Sequence, residues 1–131
     1  MTTIVRRAAS ASERIETQGT AICPLERIAR ESGVAALVDG EAVAVFRTYD
    51  DQVYALSNFD PFGKASVLSR GIVGTRGEDE LPFVASPLLK QRFDLRTGGC
   101  LEDPAVVVPT WEVRVVDDMV VVGARHETID S

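Results

Sequence analysis

Short apolar runs separated by turn-forming residues are the feature that most constrains the fold of this chain. Two of these runs, residues 34–38 and 41–47, are joined by Asp39-Gly40. This dipeptide favours a tight β-hairpin because both central residues of such a turn adopt positive φ. Further strand-forming runs recur at 53–56, 82–85, 91–95, 111–115 and 119–122. The spacing predicts an all-β domain with little helix, either an antiparallel β-sandwich or a small barrel.

The chain is predicted to form one domain, since 131 residues can bury one core but are too few for two. We expect a mobile N-terminal arm at 1–18, the folded domain at 19–125 and a C-terminal tail at 126–131. Residues 25–31 favour one or two helical turns. Residues 67–81 contain three glycines and an acidic stretch, which predicts a surface excursion outside the core.

Charge and hydropathy narrow the classes of partner. The chain has 14 basic and 20 acidic residues and a net charge of −6, which repels a phosphate backbone and disfavours nucleic acid as a partner. Membrane spans need roughly 18 consecutive apolar residues, and neither such a run nor the apolar core of a signal peptide is present. We therefore expect a cytoplasmic protein that does not contact membranes. Cys23 and Cys100 are expected to be free, buried thiols.

Two loops that each follow a predicted strand carry the residues of greatest interest. The first, at 58–66, begins NFD at Asn58, and the second, at 86–91, begins the stretch SPLLKQRFDLRTGG at Ser86. These loops and their flanking strands resemble the two ligand loops of the Rieske [2Fe-2S] fold, in which C-x-H and C-x-x-H motifs bind the two irons. The resemblance places Asn58, Asp60, Ser86 and Leu89 at the four ligand positions.

A residue count argues against a cluster in these loops. A Rieske cluster needs two Cys and two His, whereas this chain has one His, His126, beyond the last predicted strand. Both Cys23 and Cys100 fall outside the two loops. The sequence therefore predicts a Rieske-like ferredoxin fold with two ligand-type loops, with no metal and no cofactor in this chain.

A longer series of motifs extends the resemblance over most of the chain, from about Cys23 to about Gly123. The segments SNFDPF at 57–62, VLSRGI at 67–72, VASPLLKQRF at 84–93 and CLED at 100–103 are together similar to the small subunit of the NAD(P)H-dependent assimilatory nitrite reductase. The N-terminal arm precedes the usual start of that family, and the Trp often found near Gly19 is absent. The role of the arm therefore stays open, while the family resemblance does not depend on it.

The resemblance implies a partner and a division of labour. In that family FAD, a [4Fe-4S] cluster and sirohaem belong to the large subunit, where electrons pass from NAD(P)H to nitrite to give ammonia. This chain would then support or regulate the large subunit of nitrite reductase without itself being catalytic.

Specific roles are expected for the residues of the two loops. Asn58, Asp60 and Ser86 have short polar side chains that hydrogen-bond to nearby backbone, and we expect such a network to replace the cluster; the alternative is that they are ordinary turn residues. Apolar loop tips rimmed by charge suggest a docking surface. The docking candidates are Phe62, Leu88, Leu89, Lys90 and Arg92, although Phe59 and Phe62 could instead anchor their loop to the core.

Two other functions stay open from the sequence. One is a Rieske-type electron-transfer ferredoxin that serves another oxidoreductase or an oxygenase. The other is a free-standing enzyme with Asp60 or His126 as general base, although a tail histidine beside Glu127 and Asp130 is more often simply solvated. Arg70, flanked by Ser69 and Gly71, could pair with a carboxylate in the domain or on a partner.

Overall fold

The computed structural model describes residues 19–126, which form eleven β-strands and two single-turn 3-10 helices, Leu25–Arg27 and Leu68–Arg70. The strands are β1 Thr20–Pro24, β2 Ser32–Val38, β3 Glu41–Arg47, β4 Val53–Ser57, β5 Phe59–Asp60, β6 Ala65–Ser66, β7 Ile72–Arg76, β8 Leu81–Ala85, β9 Arg92–Asp94, β10 Thr110–Val116 and β11 Met119–Arg125. No helix in this described part is long and apolar enough to cross a membrane. The predicted arm at 1–18 and most of the tail lie outside the described residues.

Six strands form one antiparallel sheet in the order β1-β11-β10-β4-β3-β2. The predicted hairpin is confirmed: Asp39 and Gly40 have φ of 52° and 83°, and Val38 pairs with Glu41. Asp117 and Asp118 form an equivalent positive-φ turn between β10 and β11. The all-β antiparallel prediction is therefore correct.

Alternate residues of β3 enter two different cores. In the first core, Val43 and Val45 pack on one face of the large sheet with Ile28, Trp111, Val120 and Val122. In the second core, Ala44 and Phe46 pack on the other face. Side chains alternate between the two faces of a strand, so a strand buried on both sides reads as a continuous apolar run. Strand β3 is therefore a wall shared by both cores.

A second layer covers the Phe46 side of the large sheet. It contains the three-stranded sheet β7-β8-β9 and the small hairpin β5-β6, and its buried residues include Leu68, Val84 and Phe93. The first loop, at 58–66, contains the β5-β6 hairpin, and the second, at 86–91, connects β8 with β9. Both loops therefore belong to this second layer, and the candidate functional site lies where they are.

The predicted surface excursion at 67–81 is wrong for 67–74, whereas residues 75–80 are exposed as expected. Strand β7 lies inside it and pairs with β8, while Leu68 is 0% and Val73 is 7% exposed. The glycines were misleading because two of them serve close packing: a Cβ at Gly71 would lie 2.3 Å from the Ala85 carbonyl oxygen, and one at Gly74 would lie 3.0 Å from the Phe83 ring. Glycine in a strand often marks such a close approach.

Two smaller predictions also need correction. The helical turns expected at 25–31 shrink to Leu25–Arg27, and Ile28 after them turns into the core with 0% exposure. Both cysteines are free, as expected, but Cys23 is half-buried and not fully buried like Cys100. Cys23 lies on β1 at the edge of the large sheet, where no further strand shields it within residues 19–126.

Candidate functional site

A buried hydrogen bond joins the two loops. The Ser86 hydroxyl donates to Asp60 Oδ2 at 2.5 Å, although the residues are 26 positions apart in sequence. Asp60 is 0% and Ser86 is 2% exposed. A second contact lies beside it, because a Cβ at Gly63 would fall 2.5 Å from Leu88 Cδ1. The loops therefore pack directly against each other at one end of the second layer.

Asp60 organises the first loop. Its Oδ1 accepts hydrogen bonds from the backbone N–H groups of Phe62 at 2.8 Å and Gly63 at 3.1 Å. The backbone N–H of Lys64 donates to the Asp60 carbonyl at 2.7 Å and closes the turn. With the Ser86 hydroxyl, the carboxylate accepts three hydrogen bonds, which offset the cost of burying it. Asp60 is thus held by the backbone of its own loop and by Ser86, with no surface exposed to solvent.

Ser86 organises the second loop in the same way. Its Oγ accepts a hydrogen bond from the Leu88 N–H at 3.2 Å, and the Lys90 N–H donates to the Ser86 carbonyl at 3.1 Å. Lys64 and Lys90, which close the two turns, both have positive φ, 60° and 68°. The two turns therefore share one design in which a polar residue, a proline and two further residues precede a left-handed lysine, reading DPFGK and SPLLK.

Asn58 ties the base of the first loop to the segment that follows it. Its Nδ2 donates to the Ser66 carbonyl at 3.2 Å, and its Oδ1 accepts from the Ser69 N–H at 2.7 Å. The predicted hydrogen-bond network at Asn58, Asp60 and Ser86 is therefore present, and these residues do more than fill ordinary turns.

The four residues that the resemblance places at the ligand positions do not fit a [2Fe-2S] cluster. The polar groups of Asn58, Asp60 and Ser86 are engaged in the hydrogen bonds above, and Leu89 has no atom that binds a metal. Across residues 19–126 no three His, Cys, Asp or Glu side chains are grouped as a metal site. The other candidate ligands lie elsewhere: Cys100 faces the second core and Cys23 lies on β1.

The tips of the loops are apolar and exposed. Phe59 is 44%, Leu88 is 45% and Leu89 is 57% exposed. Phe62 differs from them because it packs against the second core, with its ring centroid 6.2 Å from that of Phe93. The alternative that both phenylalanines anchor their loop to the core therefore holds for Phe62 but not for Phe59.

Exposed cations lie in the same chain segments as these tips. Lys64, Arg70 and Lys90 are exposed, and no ion pair involves them within the described residues. The one acidic residue of segments 57–70 and 86–91 is the buried Asp60. Arg92, by contrast, is bound to Glu102 at 2.6 Å and lies over the Phe83 ring. The loop end therefore exposes positive charge on a chain whose net charge is −6.

Sequence reasoning missed Lys64 as part of this surface. The signal was available in the repeated pattern of polar residue, proline and lysine in DPFGK and SPLLK, since residues at matching positions of matching turns project alike. Together, the five exposed residues Phe59, Lys64, Leu88, Leu89 and Lys90 are called the loop-end surface.

His126 belongs to a different part of the molecule. Its Nδ1 lies 2.9 Å from Thr110 Oγ1, and a shallow groove of ≈ 590 Å³ next to it is lined by Tyr54, Arg96 and Trp111, among others. Arg96 is held there by two hydrogen bonds to the Asp94 carboxylate. The predicted neighbours Glu127 and Asp130 lie outside the described residues. Nothing brings His126 together with Asp60, so the two candidate general bases do not form one site.

Known proteins with similar sequences and structures show which class of protein has this fold and these two paired loops. Residues 18–123 match the Rieske-like [2Fe-2S] domain family. A solved ferredoxin of carbazole 1,9a-dioxygenase from Nocardioides aromaticivorans is 29% identical, with a TM-score of 0.65, and the match covers 80% of this chain and 98% of that one. The protein is a Rieske-like domain.

More similar proteins narrow the class to one family. The nitrite reductase (NADH) small subunit of Escherichia coli K12 is 51% identical over 100 residues, which is 76% of this chain and 91% of that relative. A solved structure described as an NADH-dependent nitrite reductase small subunit from Mycobacterium tuberculosis is 41% identical, with a TM-score of 0.75, and covers 84% of this chain and 96% of its own. The chain belongs to the family of nitrite reductase small subunits.

One further relative is a longer protein. The nitrite reductase [NAD(P)H] large subunit of Klebsiella oxytoca is 43% identical over 106 residues, which make up 81% of this chain but 11% of that protein. In that protein, therefore, a domain similar to this chain is part of the large-subunit polypeptide.

Proposed function

We propose that this chain acts as the small subunit of an NAD(P)H-dependent nitrite reductase, where it binds and supports or regulates the large subunit during reduction of nitrite to ammonia. The observation that carries the proposal is the buried Ser86–Asp60 hydrogen bond. It keeps the two loops in a fixed arrangement with side chains that do not fit an electron-carrying cluster. A chain of this kind contributes a surface to the reaction, not a redox group.

The large subunit is the partner that the relatives favour. In Klebsiella oxytoca a domain similar to this chain is covalently part of a protein named as the large subunit. Domains fused in one protein and separate in another commonly work together, because fusion raises the effective concentration of one for the other. In this proposal FAD, the [4Fe-4S] cluster and sirohaem are bound by the large subunit, and the complex is cytoplasmic.

The loop-end surface is the proposed docking site. Interfaces combine an apolar centre with a charged rim, and here Leu88 and Leu89 supply the centre while Lys64 and Lys90 supply the rim. Phe62 and Arg92, the other docking candidates, are engaged within the domain: Phe62 holds the first loop on the core, and Arg92 is paired with Glu102. The complementary surface on the large subunit would be apolar with an acidic rim.

Co-purification with a tagged large subunit tests this proposal. Leu89→Asp places a charge at the apolar centre and is expected to weaken binding by at least about thirtyfold, the loss typical of a central interface residue. Val115→Asp is the matched control, because Val115 is exposed near the β10-β11 turn, at the opposite end of β10 from the first loop. Equal retention of both variants on the large subunit would exclude the loop-end surface.

A Rieske-type ferredoxin is the second candidate, since a solved ferredoxin shares this fold. Iron analysis and an absorption spectrum of the purified chain, expressed with iron supplied, distinguish the two functions. We expect no stoichiometric iron and no visible band; two irons per chain would favour the ferredoxin.

A further inference from the structure

The loop-end surface is too small to hold a protein partner alone. It consists of five exposed residues, whereas a stable protein–protein interface uses about 20–30 residues on each side. A large subunit bound at the two loops would therefore also cover a neighbouring part of this domain. The sheet β7-β8-β9 is such a neighbour, because β8 runs directly into the second loop.

This three-stranded sheet has a buried face and an outer face. One row of paired residues across its strands is buried in the second core: Val73, Val84 and Phe93. Side chains alternate between the two faces of a strand, so the adjacent row of paired residues lies on the outer face. We call these residues, Ile72, Ala85 and Arg92, the outer row.

The outer row is apolar and open on its β7 side. Ile72 is 74% exposed, and no large apolar side chain within residues 19–126 is more exposed. Ala85 lies beside it on β8, and Arg92 follows on β9. The Arg92 guanidinium lies over the Phe83 ring, 5.5 Å from its centre, and pairs with Glu102. The row therefore presents an uncovered apolar side chain next to a small residue and a cation that is already paired.

The outer row adjoins the second loop. Ala85 directly precedes Ser86, the first residue of that loop, and the Lys90 N–H donates back to the Ser86 carbonyl. Neighbouring strands lie about 5 Å apart, so Ile72 is one strand away from the base of the loop that carries Leu89 and Lys90. A single exposed apolar side chain needs no explanation, but this one lies beside the proposed docking site.

The charge near Ile72 has the same sign as that of the loop-end surface. Strands β7 and β8 contain no acidic residue, and Arg70, two residues before Ile72, is exposed. Glu102 reaches the outer row but is bound to Arg92. The acidic residues at 78–80 belong to the β7-β8 turn, beyond the other end of β7 and at least about 14 Å from Ile72 along the strand. An apolar side chain beside a cation complements the apolar, acid-rimmed surface proposed for the large subunit.

We infer that the outer row, with Ile72 as its main contact and Arg70 beside it, is a second part of the docking surface for the large subunit. This assignment rests on the proposed function, because it gives further contacts to the same partner. The large subunit would then contact both the loop tips and the outer face of the sheet β7-β8-β9. A second copy of this chain is the competing occupant of the outer row.

Affinity for the purified large subunit, measured by titration calorimetry, tests the outer row. Ile72→Asp places a charge on the outer face and is expected to raise the dissociation constant about tenfold, a loss within the range of residues that contribute to an interface. Ile72→Thr keeps a β-branched side chain suited to a strand and should have a smaller effect in the same direction. Val115→Asp, the control already used for Leu89→Asp, should leave affinity unchanged, since Val115 is exposed at the β10-β11 end.

Hydrogen exchange of the wild-type complex tests the same contact without a substitution. Exchange in peptides that cover residues 68–76 should slow when the large subunit binds, whereas peptides that cover residues 113–121 should exchange as in the free chain. If Ile72→Asp does not fold, as judged by Trp111 fluorescence during urea unfolding, this measurement and Ile72→Thr decide the matter.

Three results would overturn docking at the outer row. The first is unchanged affinity of a folded Ile72→Asp chain; if Leu89→Asp still weakens binding, the proposed function stands without the outer row. The second is a wild-type chain that does not bind the large subunit, which removes the proposed function as well. The third is self-association of the wild-type chain in sedimentation equilibrium that Ile72→Asp abolishes, which makes a second copy the occupant.

Discussion

Lys64 and Lys90 occupy the same position in two turns of the same design, each closed by a hydrogen bond from the lysine N–H to the carbonyl of the residue four positions earlier. Those earlier residues, Asp60 and Ser86, are bonded to each other through their side chains. The loop network therefore fixes the backbones of the two lysines relative to each other. On a chain with a net charge of −6, this gives one end of the domain a local positive surface.

Reversal of these two charges should weaken binding to the large subunit in a salt-dependent way. In the double variant Lys64→Glu, Lys90→Glu the glutamates keep the left-handed backbone at similar cost, while the rim becomes negative. We expect the dissociation constant to rise about tenfold at 50 mM salt and much less at 500 mM, because exposed charges are screened within a few ångström at high salt. Titration calorimetry at both concentrations would measure this.

Arg27→Glu is the matched control for the lysine variant. Arg27 is also exposed, but the backbone of neighbouring Leu25 bonds to Asp118, beside the β10-β11 turn. It therefore lies at the end of the large sheet away from the loops, and its reversal should leave affinity unchanged. An effect as large as that of the two lysines would point to overall charge, not to the loop-end surface.

Removal of the Ser86 hydroxyl should destabilise the domain. Ser86→Ala leaves Asp60 Oδ2 buried without this donor, and an unsatisfied buried acceptor costs about 1–3 kcal/mol. Urea unfolding followed by tryptophan fluorescence would measure the loss through Trp111. Ser66→Ala is the control, because the Ser66 side chain is exposed; it should change stability by less than about 0.5 kcal/mol. Equal effects of the two alanines would contradict a stabilising role for the network.

Gly71 and Gly99 differ in how closely neighbouring atoms pack against them, so alanine should have different effects at the two positions. Gly71 has an ordinary φ of −76°, so alanine there should clash with the Ala85 carbonyl, not with its own backbone. We expect Gly71→Ala to cost about 1–3 kcal/mol, as overpacking does. A Cβ at Gly99 would meet its nearest atom at 3.4 Å, so Gly99→Ala should be nearly neutral. Chemical denaturation of both variants tests this, and a neutral Gly71→Ala would show that β7 and β8 can separate at little cost.

Asp94 should make stability depend on acid. Burial alone would raise its pKa, but hydrogen bonds from the Arg96 side chain and backbone outweigh burial, so the pKa of Asp94 is lowered. A carboxyl group with a lowered pKa in the folded state stabilises above its unfolded pKa of about 3.9, and this contribution is lost as pH falls through the folded pKa.

The variant Asp94→Asn isolates this contribution. The difference in unfolding free energy between the wild-type chain and the variant should be largest near pH 7 and shrink as pH falls below about 4. Urea denaturation at pH 7, 5, 4 and 3 would measure it. A difference that stays constant over this range would mean that the Asp94 charge contributes nothing to folding.

Local chemistry explains which parts of this structure could be predicted from sequence. The Asp39-Gly40 hairpin and the strand runs at 53–56 and 119–122 depend on turn geometry and on strand-forming residues, which lie next to each other in sequence. Strand β7 was missed because Gly71 and Gly74 resemble turn residues, while their actual role depends on Ala85 and Phe83, residues contributed by β8. Packing between strands distant in sequence leaves no local signal.

The candidate site shows the same division. Asn58, Asp60 and Ser86 could be predicted to hydrogen-bond, because short polar side chains favour turns. The pairing of Ser86 with Asp60 depends on how two loops pack, and so does the contact between Gly63 and Leu88. Lys64 was missed because its role depends on the structural match between the two turns. A comparison of DPFGK with SPLLK could have suggested that match.

Because β3 packs against both cores, residues cannot be inserted or deleted within it without disturbing both. Neighbouring residues Val45 and Phe46 face opposite cores, so one residue inserted or deleted within β3 would exchange the side chains of both cores at once. The turn at Gly77 is different, because a side chain there would meet no atom within 4 Å. Tags, reporters or natural insertions should therefore be tolerated near Gly77 and excluded from residues 41–47.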